Sequence, residues 1–195
     1  MRKIIIIILV IGVLSSAIYL IFINSKKQLN PDINTESSTE SYESVRISNL
    51  SFSYKSSPDG YILIKDMVSW PEDIISSISL FRTRDYEWFS KPEFVGEYPP
   101  AFTVSVFENP ERLSAQVWAE TRSIASNIEL IDSPPVTAEV GGVEGINYIV
   151  LGLYLYDTYV FAYDNEIYLI SSAYHEKGDE YYQNAVDVIA TAVFD

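Results

Sequence analysis

The run from Ile4 to Asn24, IIIIILVIGVLSSAIYLIFIN, holds 21 residues without a charge, bounded by Arg2-Lys3 and by Lys26-Lys27. At about 1.5 Å per residue it makes roughly 31 Å of helix, the thickness of a bilayer's hydrocarbon core. No polar face interrupts it, which argues against a core helix with one wet side. Two uses remain, a cleaved signal peptide or a retained anchor. Ser15-Ser16-Ala17 offers small residues for a signal peptidase, but a cut there falls inside the apolar run, before Ile18-Tyr19-Leu20-Ile21-Phe22-Ile23. Signal-peptide cores are also shorter, about 7–15 residues. The expectation is an uncleaved N-terminal transmembrane helix over residues 1–24, with membrane contact through residues 4–24. Lysines flank both ends, so charge bias orients the helix only slightly. The short N-terminal flank points to a cytoplasmic N-terminus and an extracytoplasmic remainder.

This segment divides the charge. The 195 residues carry 13 Lys+Arg against 27 Asp+Glu, a net charge of −14. Residues 1–27 hold Arg2, Lys3, Lys26 and Lys27 and no acid, which is +4; the remainder carries nine bases against all 27 acids, which is −18. Nucleic-acid binding needs clustered Lys and Arg, so that class is excluded. With no Cys and one His, disulfides, thiolate catalysis, Cys-ligated zinc, a lipoprotein lipid attachment and His-rich metal sites are excluded too. Neither a cofactor nor a metal is expected.

Residues 25–45 read as a disordered linker. From Ser25 to Ser44 the chain is SKKQLNPDINTESSTESYES, with only Leu29, Ile33 and Tyr42 apolar, too little to offset the entropy of ordering. Residues 46–195 regain aromatic and β-branched residues and suffice for one core. Strands are expected at Leu50–Tyr54, Tyr61–Lys65, within Ile75–Arg82, at Ala101–Phe107 and at Val136–Val140, with turns at Ser57-Pro58-Asp59-Gly60 and Gly141-Gly142. Asn109-Pro110-Glu111 opens a helix of about Leu113–Ala125 with Trp118 and Ile124 on its buried side, and a last helix spans Glu180–Ala190 before a short strand to Phe194.

Three strands follow the glycine turn. Asp157-Thr158 and Asp164-Asn165 read as two-residue hairpin turns, which sets Tyr156 opposite Tyr159, Tyr154 opposite Phe161, and Phe161 opposite Tyr168. Alternation then collects Leu153, Leu155, Val160, Ala162, Ile167 and Leu169 on an aliphatic face. Tyr154, Tyr156, Tyr159, Phe161, Tyr163 and Tyr168 fall on an aromatic face. The aliphatic side packs on helices, giving an α+β fold in which helices sandwich an antiparallel sheet. The aromatic side is the candidate face for a partner or ligand, since tyrosine combines contact area with a polar tip; its alternative use is to sit beneath a second helix layer.

The order of these elements resembles the PsbP-like family. The matching stretches are Ser51-Phe52-Ser53-Tyr54 with Pro58-Asp59-Gly60-Tyr61, and Phe102-Thr103-Val104-Ser105-Val106 followed by Asn109-Pro110 and Trp118. Val140-Gly141-Gly142-Val143-Glu144-Gly145 leading to Tyr148, Ile167-Tyr168-Leu169-Ile170, and Ala192-Val193-Phe194 complete them. The resemblance covers about residues 46–195. It implies an extracytoplasmic binding or accessory domain behind an anchor, with no catalytic motif to carry over. A photosystem role is not implied, since no photosynthetic targeting segment is present.

Catalytic chemistry finds little support. His175, in Tyr174-His175-Glu176-Lys177-Gly178, would have to serve any Ser-His-acid triad, yet no Gly-x-Ser-x-Gly elbow is present; it reads as a solvated loop residue. Gly141-Gly142-Val143-Glu144-Gly145 lacks the Lys-Ser/Thr of a phosphate loop and joins two strands. The acids Glu72/Asp73, Asp85/Glu87, Asp157, Asp164/Glu166 and Asp179/Glu180 match no calcium loop. Asp157 and Asp164 read as turn residues at opposite ends of a strand, roughly 20 Å apart, too far for a glycosidase pair. The expected function is a membrane-tethered, non-catalytic binding or accessory module for an envelope protein or small ligand. The alternative is an envelope hydrolase with a loop-borne site.

Overall fold

The computed structural model describes residues 41–66, 73–95 and 98–195, all within one compact unit, Glu40–Asp195. The expected anchor and the tether as far as residue 40 lie outside the described residues, as do Trp70 and Glu72.

Among the described residues ten strands form two antiparallel sheets. β1 (Ser41–Ile47), β2 (Leu50–Ser56) and β10 (Val193–Phe194) make a three-stranded sheet in the order β1-β2-β10. The larger sheet contains β3 (Tyr61–Lys65), β4 (Ile74–Arg82), β5 (Phe102–Glu108), β6 (Val136–Val140), β7 (Val143–Leu151), β8 (Leu155–Tyr163) and β9 (Glu166–Tyr174). Its order is β3-β4-β5-β9-β8-β7-β6. The helices are α1 (Thr83–Phe89), α2 (Ala115–Thr121), α3 (Ser123–Ser126) and α4 (Glu180–Ala190), with a 3-10 turn at Ile128–Leu130. The fold is mostly antiparallel sheet with a few helices, α+β as the alternation patterns lead one to expect.

The two faces of the seven-stranded sheet are finished differently. On one, Leu80, Phe102, Val104, Phe161, Tyr168 and Ile170 meet Leu50 and Phe52 of the small sheet, Ala185 and Val188 of α4, and Phe194. Phe194 packs on Phe161, Tyr163 and Tyr168 with centroids at 5.9, 5.1 and 4.9 Å, and Phe52 meets Phe102 edge-on at 5.4 Å. Each fully buried side chain of this size contributes roughly 1.5–3 kcal/mol, so this sealed face carries most of the hydrophobic stabilisation. The other face packs Phe107, Tyr148, Val150, Val160 and Ile167 against Ala115, Trp118 and Ala119 of α2, with Trp118 4.9 Å from Phe107.

Local chemistry explains several boundaries. The Gly60 N–H donates to the Ser57 carbonyl at 2.9 Å, closing the turn between β2 and β3. Gly141 and Gly142, at φ +58° and +80°, give the β6–β7 hairpin the double left-handed turn that glycine allows. Asp179 caps α4 by accepting from the Tyr182 N–H at 2.7 Å, and Ser114 caps α2.

Four expectations need correction. Residues 41–45, assigned to the disordered linker, belong to β1. Its side chains are largely exposed, so composition conceals it, but Glu43 accepts from the Tyr54 and Ser56 hydroxyls at 2.9 and 2.6 Å. The helix expected over Leu113–Ala125 is two short helices broken at Arg122 (φ −106°, ψ 48°); the break resets the helical phase, leaving Trp118 buried but Ile124 71% exposed. The expected turn at Asp157-Thr158 is the interior of β8, and the chain instead reverses through Gly152-Leu153-Tyr154. Helix α1, capped by no side chain, was not expected; its Tyr86 and Phe89 rings pack on Phe81 at 5.7 and 5.2 Å.

Candidate ligand groove

Strands β7, β8 and β9 floor a groove on the face that α2 and α3 cover only in part. Alternation turns Tyr156 and Thr158 of β8 to this side, together with Leu169 and Ser171 of β9; Thr158 stands directly opposite Ser171. Val150, Leu151 and Gly152 close one end, while Ala125, Ser126, Asn127 and Leu130 form the wall. The cavity volume is about 420 Å³, toward the lower end of the range of small-molecule sites.

The wall is held by hydrogen bonds rather than by a long helix. Asn127 adopts the left-handed conformation at φ 54° and ends α3. The Ser126 hydroxyl donates to the Ala119 carbonyl at 2.6 Å. The Tyr148 phenol, rising from β7, donates to the Ser126 carbonyl at 2.9 Å, and burial pushes that phenol well above its ordinary pKa. A single bridge joins Ile131 to Val150, so the wall is tied to the sheet it faces. Leu130 and Leu151 stand at the rim, 53% and 43% exposed. No lining residue is Asp, Glu, Lys, Arg or His.

Across the sheet, Thr158 and Ser171 continue a row of hydroxyl residues. The register runs Ser79↔Thr103, Thr103↔Ser171 and Ser171↔Thr158, and the Ser79 and Thr103 oxygens lie 3.3 Å apart. The groove therefore combines aliphatic side chains, paired hydroxyls and an amide, with no formal charge.

The six aromatic residues expected on one exposed face are divided. Moving the turn from Asp157-Thr158 to residues 152–154 changes the parity of the residues before it. Tyr159, Phe161, Tyr163 and Tyr168 share the sealed face with Phe194, and Phe161 and Tyr168 are 0% exposed. Phe161 is indeed opposite Tyr168, but Tyr156 is opposite Val150 and Ala173 and lines the groove. Tyr154 lies in the turn, its ring 5.0 Å from His175. The candidate face is thus a core interface, and only Tyr156 of the six reaches the groove. The expected aliphatic face survives at Val160, Ala162, Ile167 and Leu169, whereas Leu153 is exposed and Leu155 shares the parity of Asp157.

Asp157, read as a turn residue, is a buried carboxylate on the sealed side, 6% exposed. Asn147 donates to its Oδ1 at 2.5 Å and the Tyr159 phenol to its Oδ2 at 3.2 Å. Burial, then the Asp157 charge and this bond, hold the Tyr159 phenol far above its usual value. Tyr174 is pushed to about 12, by burial first and then by Asp157. Both phenols stay protonated, and that of Tyr159 is the one that donates to Asp157.

His175 is exposed at the end of β9, flanked by the Tyr154 and Tyr181 rings at 5.0 and 5.9 Å. Asp179, four residues on, is spent on backbone: its carboxylate accepts from the N–H groups of His175, Glu176 and Tyr182. Asp85 accepts from the Tyr98 phenol and, at 3.4 Å, from that of Tyr181. Asp164 sits in the β8–β9 turn at φ 53°. Among the described residues no group of three His, Cys, Asp or Glu is placed to hold a metal ion. Sequence reasoning missed Thr158, Ser171 and the wall at Ser126–Leu130. The signal was the paired pattern Tyr156-x-Thr158 and Leu169-x-Ser171, readable only with the turn in its true place.

No protein-family model matches this sequence, and no curated protein sequence matches it. Among solved structures, the chain is similar to the solution structure of the cyanobacterial PsbP protein CyanoP from Synechocystis sp. PCC 6803. The match has 11% identity and a TM-score of 0.49, and covers 86% of this chain and 99% of that one. It is also similar to a crystal structure from Bacteroides thetaiotaomicron VPI-5482, at 13% identity and a TM-score of 0.41, covering 74% of this chain. This chain spans 45% of the length of that Bacteroides chain. Likenesses at this level say nothing about what the chain binds.

Proposed function

We propose that the protein is a membrane-tethered, non-catalytic ligand-binding module, held through residues 4–24 with its N-terminus cytoplasmic and its β-rich domain extracytoplasmic. The observation that carries the reading is the groove between α3 and the β7–β9 strands, which has the volume of a ligand site and no charged side chain in its lining. General acid–base and nucleophilic catalysis need a titratable group within hydrogen-bond reach of the reacting atoms. The single titratable side chain in the lining is the Tyr156 phenol. The hydrolase alternative would need His175 beside a partner acid, and Asp179 is engaged by three backbone N–H groups instead.

The test is recovery of a bound compound. Full-length protein purified from native membranes is extracted, and its small molecules are compared by mass spectrometry with those of a Leu151→Lys variant, altered at the exposed rim. The reading expects a compound retained by the wild type and lost from the variant. Turnover of a substrate by the wild type, abolished by His175→Ala, would overturn it. Protease added to intact cells should cleave residues 41–195 and spare the N-terminus; protection of the domain would reverse the proposed orientation.

A further inference from the structure

We infer that the groove takes a neutral amphiphile, a molecule with a short hydrocarbon part and an uncharged hydroxyl-rich head; this rests on the reading of the groove as a binding site. The lining separates into two chemistries. Leu130, Val150, Leu151 and Leu169 provide an aliphatic wall, with Leu130 and Leu151 half exposed at its rim. Thr158 and Ser171 stand side by side on the floor, each hydroxyl able to donate and to accept.

Charge decides the head group. A carboxylate, phosphate or ammonium entering the groove would lose water and find no opposite charge in the lining, a cost several-fold larger than that of a hydroxyl given a partner. The chain beyond residue 27 also carries −18, which repels anions at long range. An uncharged polyol avoids both penalties, since the Thr158 and Ser171 hydroxyls and the Asn127 amide replace its hydration. A pure hydrocarbon would fit the wall but leave those polar groups dehydrated without partners.

The experiment uses the full chain in phospholipid nanodiscs and three probes with one six-carbon tail: hexyl β-D-glucoside, hexanoate and hexylamine. Calorimetric titration against empty nanodiscs gives affinity, and hydrogen exchange read by mass spectrometry gives location. The expected result is protection of residues 125–131 and 150–158 by the glucoside, with both charged probes at least about tenfold weaker. The double variant Thr158→Val, Ser171→Ala should weaken the glucoside by roughly tenfold, for two lost hydrogen bonds. Should that variant fail to fold, Leu151→Lys at the exposed rim serves in its place, and it should weaken the glucoside while strengthening hexanoate. Equal binding of hexanoate or hexylamine in the wild-type groove overturns the ligand class and leaves the binding site standing. Absence of protection at the groove with all three probes overturns both.

Discussion

The two faces of the seven-stranded sheet are built by the same strands and spent differently. The face toward α4 and the small sheet is closed by large rings: Phe161, Tyr168 and Phe194 contact one another and the aliphatic side chains around them. The opposite face is covered by α2 near Trp118 and then falls away into a groove floored by Thr158, Leu169 and Ser171. A period-two strand supplies both sets at once; on the groove side Val160 and Ile167 are themselves buried against α2, so the recognition proposed above falls to Tyr156, Thr158, Leu169 and Ser171 alone. Substitutions on the sealed face should therefore cost folding, and those at the groove lining should cost binding.

The largest effect tests the sealed face. Phe161→Ala removes a fully buried ring and should cost about 3–5 kcal/mol in urea unfolding; a loss below about 1 kcal/mol would break the comparison. Next is the buried carboxylate. Asn147→Ala leaves Asp157 with the Tyr159 phenol and without its 2.5 Å amide partner, for an expected loss of about 1–3 kcal/mol.

Asp179 comes third. Burial tends to raise its pKa, but the N–H groups of Tyr182, Glu176 and His175, with the His175 charge, hold it below the ordinary carboxylate value. A folded-state pKa below the unfolded one gives stability that is present above about pH 4 and is lost as pH falls through the depressed value. Asp179→Ala should remove that acid-side dependence and the helix cap, costing about 1 kcal/mol near neutral pH. Asp179→Asn should remove the pH dependence while keeping most of the cap. The smallest stability effect belongs to the groove rim. Leu151→Lys should change unfolding by no more than about 0.5 kcal/mol; a larger loss would make the rim part of the core.

Much of the fold was legible in the sequence where local signals agree. β3 and α4 fall on the residues that pattern reading assigns, because Ser57-Pro58-Asp59-Gly60 closes one boundary and Asp179 opens the other. The glycine hairpin was equally plain. Errors arose where tertiary contacts outvote local preference. Asp is depleted in strands, so Asp157-Thr158 resembled a turn, yet Asn147 and Tyr159 accommodate the carboxylate inside β8. The true turn carries one glycine, Gly152, followed by Leu153 and Tyr154, whose apolar side chains continue the strand pattern and mask it. That single displacement moved Tyr156 to the wrong face and hid the groove. β1 escaped notice because residues 41–44 are exposed and held by cross-strand bonds such as that from the Ser56 hydroxyl to Glu43, its apolar burial being confined to Val45 and Ile47.

The central claim, that the groove face recognises a ligand while the sealed face holds the fold, is tested most directly by hydrogen exchange of the full chain with and without hexyl β-D-glucoside. The account predicts slowed exchange at residues 125–131 and 150–158, with no change at residues 180–194 of the sealed face. Protection confined to residues 180–194, or protection at the groove that persists undiminished in Leu151→Lys, would contradict it.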